Sequence, residues 1–97
     1  MNIYFKHSTR CPISSGAKIE IDSFLRHNPA GDQFQYQYEI VDVIGNRDRS
    51  NELADQFSIE HESPQIIITN ADKKVVWSES HREITEESIK KVLEENK

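Results

Sequence analysis

The chain has 97 residues and one cysteine, Cys11. A single thiol cannot close an internal disulfide, nor hold zinc without help from histidines or carboxylates. It is therefore either a small buried hydrophobe or a reactive group. Its neighbours favour reactivity. The polar run Ser8-Thr9-Arg10 precedes it, and Pro12 follows, a residue suited to the first position of a helix because its missing N–H is not needed there. The start of a helix presents unpaired N–H groups and positive potential, which favour a thiolate over a thiol. Lys6 and Arg10 are expected to add positive charge nearby. Ser14, one helical turn on, either offers its hydroxyl to the sulfur or is an ordinary polar residue of the first turn. Ser63-Pro64-Gln65 is the second feature of interest. A proline is tolerated at the first residue of a strand; in the cis form it would expose the preceding backbone to an extended substrate, whereas trans is the commoner form. His7, His27, His61 and His81 form no HxxxH pair, so scattered surface or capping roles outweigh a metal site. His7 and His61 flank loops at one end of the expected sheet and are placed to approach Cys11.

The elements that must position these groups can be read from periodicity. Ile3-Tyr4-Phe5 predicts a strand at about 2–6. Ile13, Ala17, Ile21, Phe24 and Leu25 recur at helical spacing from Pro12 to the region of His27 or Asn28, ahead of Pro29. Gly16 inside this helix weakens it or marks a close backbone approach. A turn is expected over Asn28–Gln33. Tyr36 to Ile44 reads as a strand whose central part, Ile40 to Ile44, is apolar enough to be buried on both faces. Leu53, Ala54 and Phe57 mark a short helix over about 48–57. Gln65–Thr69 and Lys74–Ser78 read as a hairpin around Asn70-Ala71-Asp72-Lys73. Thr85 is the expected cap of a last helix, with Glu86 and Glu87 in its first turn and Ile84 and Ile89 as a hydrophobic staple. The order β-α-β-α-β-β-α predicts an α/β domain over residues 1–97, a four-stranded mixed sheet flanked by helices.

Composition excludes several partners. The formal charge is −5, with 12 basic against 17 acidic residues. Without a basic stripe the chain is a poor match for nucleic acid or an anionic membrane surface. No apolar run approaches a bilayer span, and Met1–Phe5 lacks the basic-then-apolar pattern of a signal peptide, so a cytoplasmic location is expected.

Cys11-Pro12-Ile13-Ser14 resembles a Cys-x-x-Cys redox motif with serine in the second position. Together with the Val41–Gly45 strand end, the Asn46–Phe57 helix region and Ser63-Pro64, it resembles the thioredoxin pattern. The closer likeness lies in three blocks: Phe5-Lys6-His7-Ser8-Thr9-Arg10-Cys11-Pro12-Ile13-Ser14, His61-Glu62-Ser63-Pro64-Gln65, and Ser80-His81 with Ile84-Thr85. These resemble the monothiol bacilliredoxin family, over nearly the whole chain. Family members usually carry a further segment with a helix ahead of the first strand, whereas the strand here begins at residue 2.

The resemblance implies a thioredoxin-like fold with a cis Ser63–Pro64 bond. It also implies a cytoplasmic thiol–disulfide oxidoreductase that removes bacillithiol from mixed disulfides on other proteins. Cys11, Pro12 and Ser14 would then be the catalytic set. Thr9, Arg10, Ser63, Pro64 and Gln65 would hold substrate backbone or the malate carboxylates of bacillithiol, Arg10 through its two-pronged guanidinium. No tightly bound cofactor or metal is expected. Bacillithiol is the co-substrate, the partners are S-bacillithiolated proteins and a separate bacillithiol disulfide reductase, and the chain is expected to act as a monomer. Two other readings stay open: a non-catalytic thioredoxin-like module modified at Cys11, and an iron–sulfur carrier, which Pro12 disfavours by replacing the glycine of Cys-Gly-Phe-Ser.

Overall fold

The computed structural model describes residues 1–31 and 34–96. The elements are β1 (Asn2–His7), α1 (Pro12–His27), β2 (Gln37–Asp42), α2 (Arg47–Phe57), β3 (Gln65–Thr69), β4 (Val75–Ser80), a 3₁₀ turn (His81–Glu83) and α3 (Glu86–Glu95). The strands lie in the order β2-β1-β3-β4. β2 runs parallel to β1, and β3 and β4 are antiparallel to their neighbours. This is the mixed sheet expected from the element order. Positions 32 and 33 of the expected Asn28–Gln33 turn lie outside the described residues.

Side chains alternate along β1, and that alternation divides the interior. Ile3 and Phe5, with Ile66 and Ile68 of β3, face α1 and α3. They meet Ala17, Ile21 and Phe24 of α1 and Ile89, Val92 and Leu93 of α3 in the larger core. Tyr4 and Ile67 face the other way and meet Leu53 of α2 and Val41, with Phe57 and Ile59 partly buried beside them. Every residue of β3 is buried, because it is central and covered on both sides.

β2 departs from the sequence expectation. It is an edge strand with one buried residue, Val41, and Ile40 and Ile44 remain 45% and 44% exposed. An apolar run signals burial on both faces only if helices reach both faces, and here no described strand pairs with the outer flank of β2. α2 is fastened to this edge by Arg49, whose Nε and Nη2 donate to the two oxygens of Glu39 at 2.7 and 2.8 Å.

α3 begins as its sequence predicts. The Thr85 hydroxyl accepts the Ser88 N–H at 3.1 Å, and Ile84 and Ile89 are both buried in the larger core. No described helix is long and apolar enough to cross a membrane.

Candidate active site

The register Lys6↔Gln65 brings the loop leaving β1 and the loop entering β3 to one end of the sheet. Cys11 stands in the first loop as the N-cap of α1, with φ −109° and ψ 119°, and it is half-buried. Pro12 takes the first helical position. No side-chain hydrogen bond from the N-cap residue caps this end and no acidic residue lies in the first turn, so Cys11 stands at the unneutralised positive end of a 16-residue helix. The loop is closed by a bond from the Cys11 N–H to the Ser8 carbonyl at 3.3 Å, and the Cys11 carbonyl accepts the Ser15 N–H at 3.1 Å.

Ser14 is fully buried. Its oxygen accepts the Ser8 N–H at 2.9 Å and lies 2.7 Å from His7 Nδ1 in a second hydrogen bond. Among the described residues no hydrogen bond reaches the Cys11 sulfur. Of the two roles expected for Ser14, a hydroxyl offered to the sulfur or an ordinary first-turn residue, the first is not seen: Ser14 pins the end of β1 to the first turn of α1, and so shapes the loop that carries the thiol. Burial and the Lys18 ammonium lower the pKa of His7, against the opposing pull of Asp42 and Asp22.

Lys6 also differs from expectation. The alternation that turns His7 toward α1 turns Lys6 to the α2 side, where it is completely buried. Its Nζ donates to His61 Nδ1 at 3.2 Å, and the same nitrogen lies 3.2 Å from Ser50 Oγ. Among the described residues His61 is its only side-chain partner, and burial lowers the Lys6 pKa. The His61 pKa is lowered by burial first, then by Lys6 and Arg47, against Glu62. His61 is therefore bound into this group on the other face of the sheet and does not join Cys11. A parity argument on β1 would have separated Lys6 from His7 in advance.

Thr9 and Arg10 are exposed, and the Arg10 side chain has no partner among the described residues. The Ser63–Pro64 bond is cis. The Pro64 carbonyl accepts the His81 N–H at 3.1 Å. Gln65 is buried; its Nε2 donates to the Glu60 carbonyl at 3.0 Å, which turns its amide into the fold rather than toward a substrate. Ser63 Oγ and Gln65 Oε1 are buried without a hydrogen-bond partner.

Beside the cysteine, a cavity of about 420 Å³ lies between α1 and the turn after β4, with Pro12, Ile13 and Gly16 on one side and His81 and Arg82 on the other. His81 was read from the sequence as a scattered histidine. Its backbone is left-handed, with φ 56°, a conformation that favours glycine. Its place in the Ser80-His81 block was the one sequence signal of a role at this end of the sheet. A Cβ on Gly16 would meet nothing within 4 Å, so this glycine serves no close backbone approach. Among the described residues no group of three or more His, Cys, Asp or Glu side chains is arranged to hold a metal ion.

The family profile described as Monothiol bacilliredoxin BrxC matches residues 1–89. Among solved structures, the chain is similar to a thioredoxin-fold protein named for an inferred oxidoreductase role. The TM-score is 0.79 at 28% identity, over 94% of this chain and 75% of the other. It is also similar to thioredoxin 1 from the thermophilic eubacterium Thermosipho africanus, with a TM-score of 0.69 at 14% identity over 99% and 93% of the two chains. A Fasciola hepatica thioredoxin gives 0.68 at 17% identity over 99% and 80%. The last two likenesses speak to the fold alone.

Proposed function

The chain belongs to the monothiol bacilliredoxin family, whose chemistry is thiol–disulfide exchange on a thioredoxin-like fold, and from that premise we propose that it removes bacillithiol from mixed disulfides on other proteins. The observation that carries this reading is a single half-buried cysteine at the uncapped start of a long helix. In the first step the Cys11 thiolate attacks the bacillithiol sulfur of a protein–S–S–bacillithiol substrate. The substrate disulfide breaks, the protein thiolate leaves and takes a proton from solvent, and a Cys11–S–S–bacillithiol bond forms. Exchange is fastest when the attacking thiol titrates near ambient pH, which balances ionised fraction against nucleophilicity.

With one cysteine in the chain, the adduct has no internal thiol to resolve it. A second bacillithiol thiolate attacks the bacillithiol sulfur of the adduct, frees Cys11 and leaves as bacillithiol disulfide. A separate bacillithiol disulfide reductase restores the pool. The protein on this reading works in the cytoplasm as a monomer, without a resident cofactor. Ser14 acts by holding the loop, and Thr9 and exposed Arg10 are the loop groups open to substrate; the Arg10 guanidinium suits a carboxylate.

Mass spectrometry of the protein mixed with bacillithiol disulfide is expected to show one adduct, at Cys11, and Cys11→Ala is expected to show none. Wild type supplied with bacillithiol is expected to release reduced protein over many turnovers from a model mixed disulfide. A wild-type protein that takes up no bacillithiol overturns the proposal, and one that stays capped when bacillithiol is supplied is a sensor rather than a catalyst.

A further inference from the structure

The cavity between α1 and the turn after β4 has three properties that the exchange step at Cys11 leaves unused. It lies next to the reactive loop, because Pro12 and Ile13, the two residues after Cys11, form part of its wall. Its volume of about 420 Å³ falls within the range of clefts that hold small molecules. It is bordered by two side chains suited to an anion, His81 and Arg82, both exposed and neither engaged by another side chain among the described residues.

Two residues on this wall run against local backbone preference. Gly16 lies inside α1, where glycine weakens a helix, and a Cβ there would touch nothing in the chain. The internal packing of the protein gives no reason for a glycine at this position; a ligand lying against the helix does. His81 holds a left-handed backbone at φ 56°, where glycine would be unstrained. Its backbone N–H is committed to the Pro64 carbonyl at 3.1 Å. Glycine would serve that bond equally well, so what the histidine adds is an imidazole on the cavity wall.

We propose that this cavity is the subsite for the carboxylate-bearing arm of the small thiol exchanged at Cys11, with His81 and Arg82 as its anion-recognising side chains and Gly16 as the clearance for the arm. This rests on the reading of Cys11 as the site of bacillithiol exchange. The Arg82 guanidinium pairs with a carboxylate through two parallel hydrogen bonds, and the His81 imidazole N–H supplies a third donor. Glu20 also lines the cavity, and its Oε1 accepts the Glu86 N–H at 3.2 Å. The largely apolar wall of Pro12, Ile13 and Ala17 receives the body of the ligand. The subsite would let the protein recognise the small-thiol half of a mixed disulfide whichever client carries it.

The test compares three disulfides: bacillithiol disulfide, 2-hydroxyethyl disulfide, which has no carboxylate, and an S-bacillithiolated model protein. The rate of adduct formation at Cys11 is followed by quenched-flow mass spectrometry in wild type, Arg82→Gln, Gly16→Leu and Gly16→Ala. Arg82→Gln is expected to slow reaction with bacillithiol disulfide by about tenfold, the loss of one charge-assisted contact; Gly16→Leu is expected to slow it comparably by filling the cavity, and both to leave 2-hydroxyethyl disulfide within about twofold. Gly16→Ala is expected to give a smaller loss of the same selectivity. Should Gly16→Leu fail to fold, exposed Arg82 still carries the test. Equal losses on the two small disulfides, or none on either, overturn the subsite and leave the proposed function standing. Loss on an S-bacillithiolated protein but not on bacillithiol disulfide assigns the cavity to the client and overturns the subsite as well. A wild-type Cys11 that reacts with 2-hydroxyethyl disulfide and not with bacillithiol disulfide overturns both readings together.

Discussion

Ser14 occupies the position where a two-cysteine motif would carry its resolving thiol, yet its oxygen serves Ser8 and His7. The spacing of Cys11 and Ser14 was legible in the sequence. The direction of the hydroxyl was not, because it depends on how β1 delivers His7 beside the first turn of α1. The same holds for Lys6, whose charge is plain from its type and whose face is decided by strand parity. His7 makes this arrangement sensitive to acid. Its pKa is lowered in the fold by burial and Lys18, more than Asp42 and Asp22 raise it. The unfolded chain therefore binds a proton more readily, and stability falls as pH drops through the ordinary imidazole range. His7→Asn keeps a polar partner for Ser14 and does not titrate. Urea unfolding of this variant between pH 8 and 5 is expected to show a shallower acid loss than wild type; an unchanged slope would assign the loss to other groups, His61 first.

At the scale of elements, helices and their ends were the most legible part. Pro12 starts α1, and Thr85 with Ile84 and Ile89 starts α3, because caps and staples are local signals written within a few residues. β2 was the least legible. Its Ile40-Val41 core looks like an interior strand, and only the strand order shows that it borders the sheet. A residue 45% exposed gives up little on substitution, so Ile40→Lys is expected to change stability by no more than about 0.5 kcal/mol in chemical denaturation. A loss of about 2 kcal/mol or more would mean that this edge is covered in solution. The cavity beside Cys11 was not legible at all. It is made by residues about 65 positions apart, and Gly16 inside a helical pattern signals only a weaker helix or a close backbone approach.

Across the whole molecule, the sheet separates two unequal interiors. Two helices and the inner faces of β1 and β3 build one; the other rests on Leu53, Tyr4, Val41 and Ile67. Leu53 is the only fully buried apolar side chain of α2 among the described residues. Leu53→Ala is therefore expected to cost about 2–5 kcal/mol, at the upper part of that range if the gap cannot close, as read from urea midpoints. A cost below about 1 kcal/mol would show that Arg49 and its partners hold α2 without this anchor. The uneven division also decides how the protein comes apart. A helix moored by few apolar contacts opens at lower free energy than the global transition, so amide protons of α2 are expected to exchange by partial opening while those of α1 wait for complete unfolding. On that expectation the helix with Cys11 at its N-cap stays with the slow-exchanging half, and the thiol keeps its setting through fluctuations that release the opposite flank.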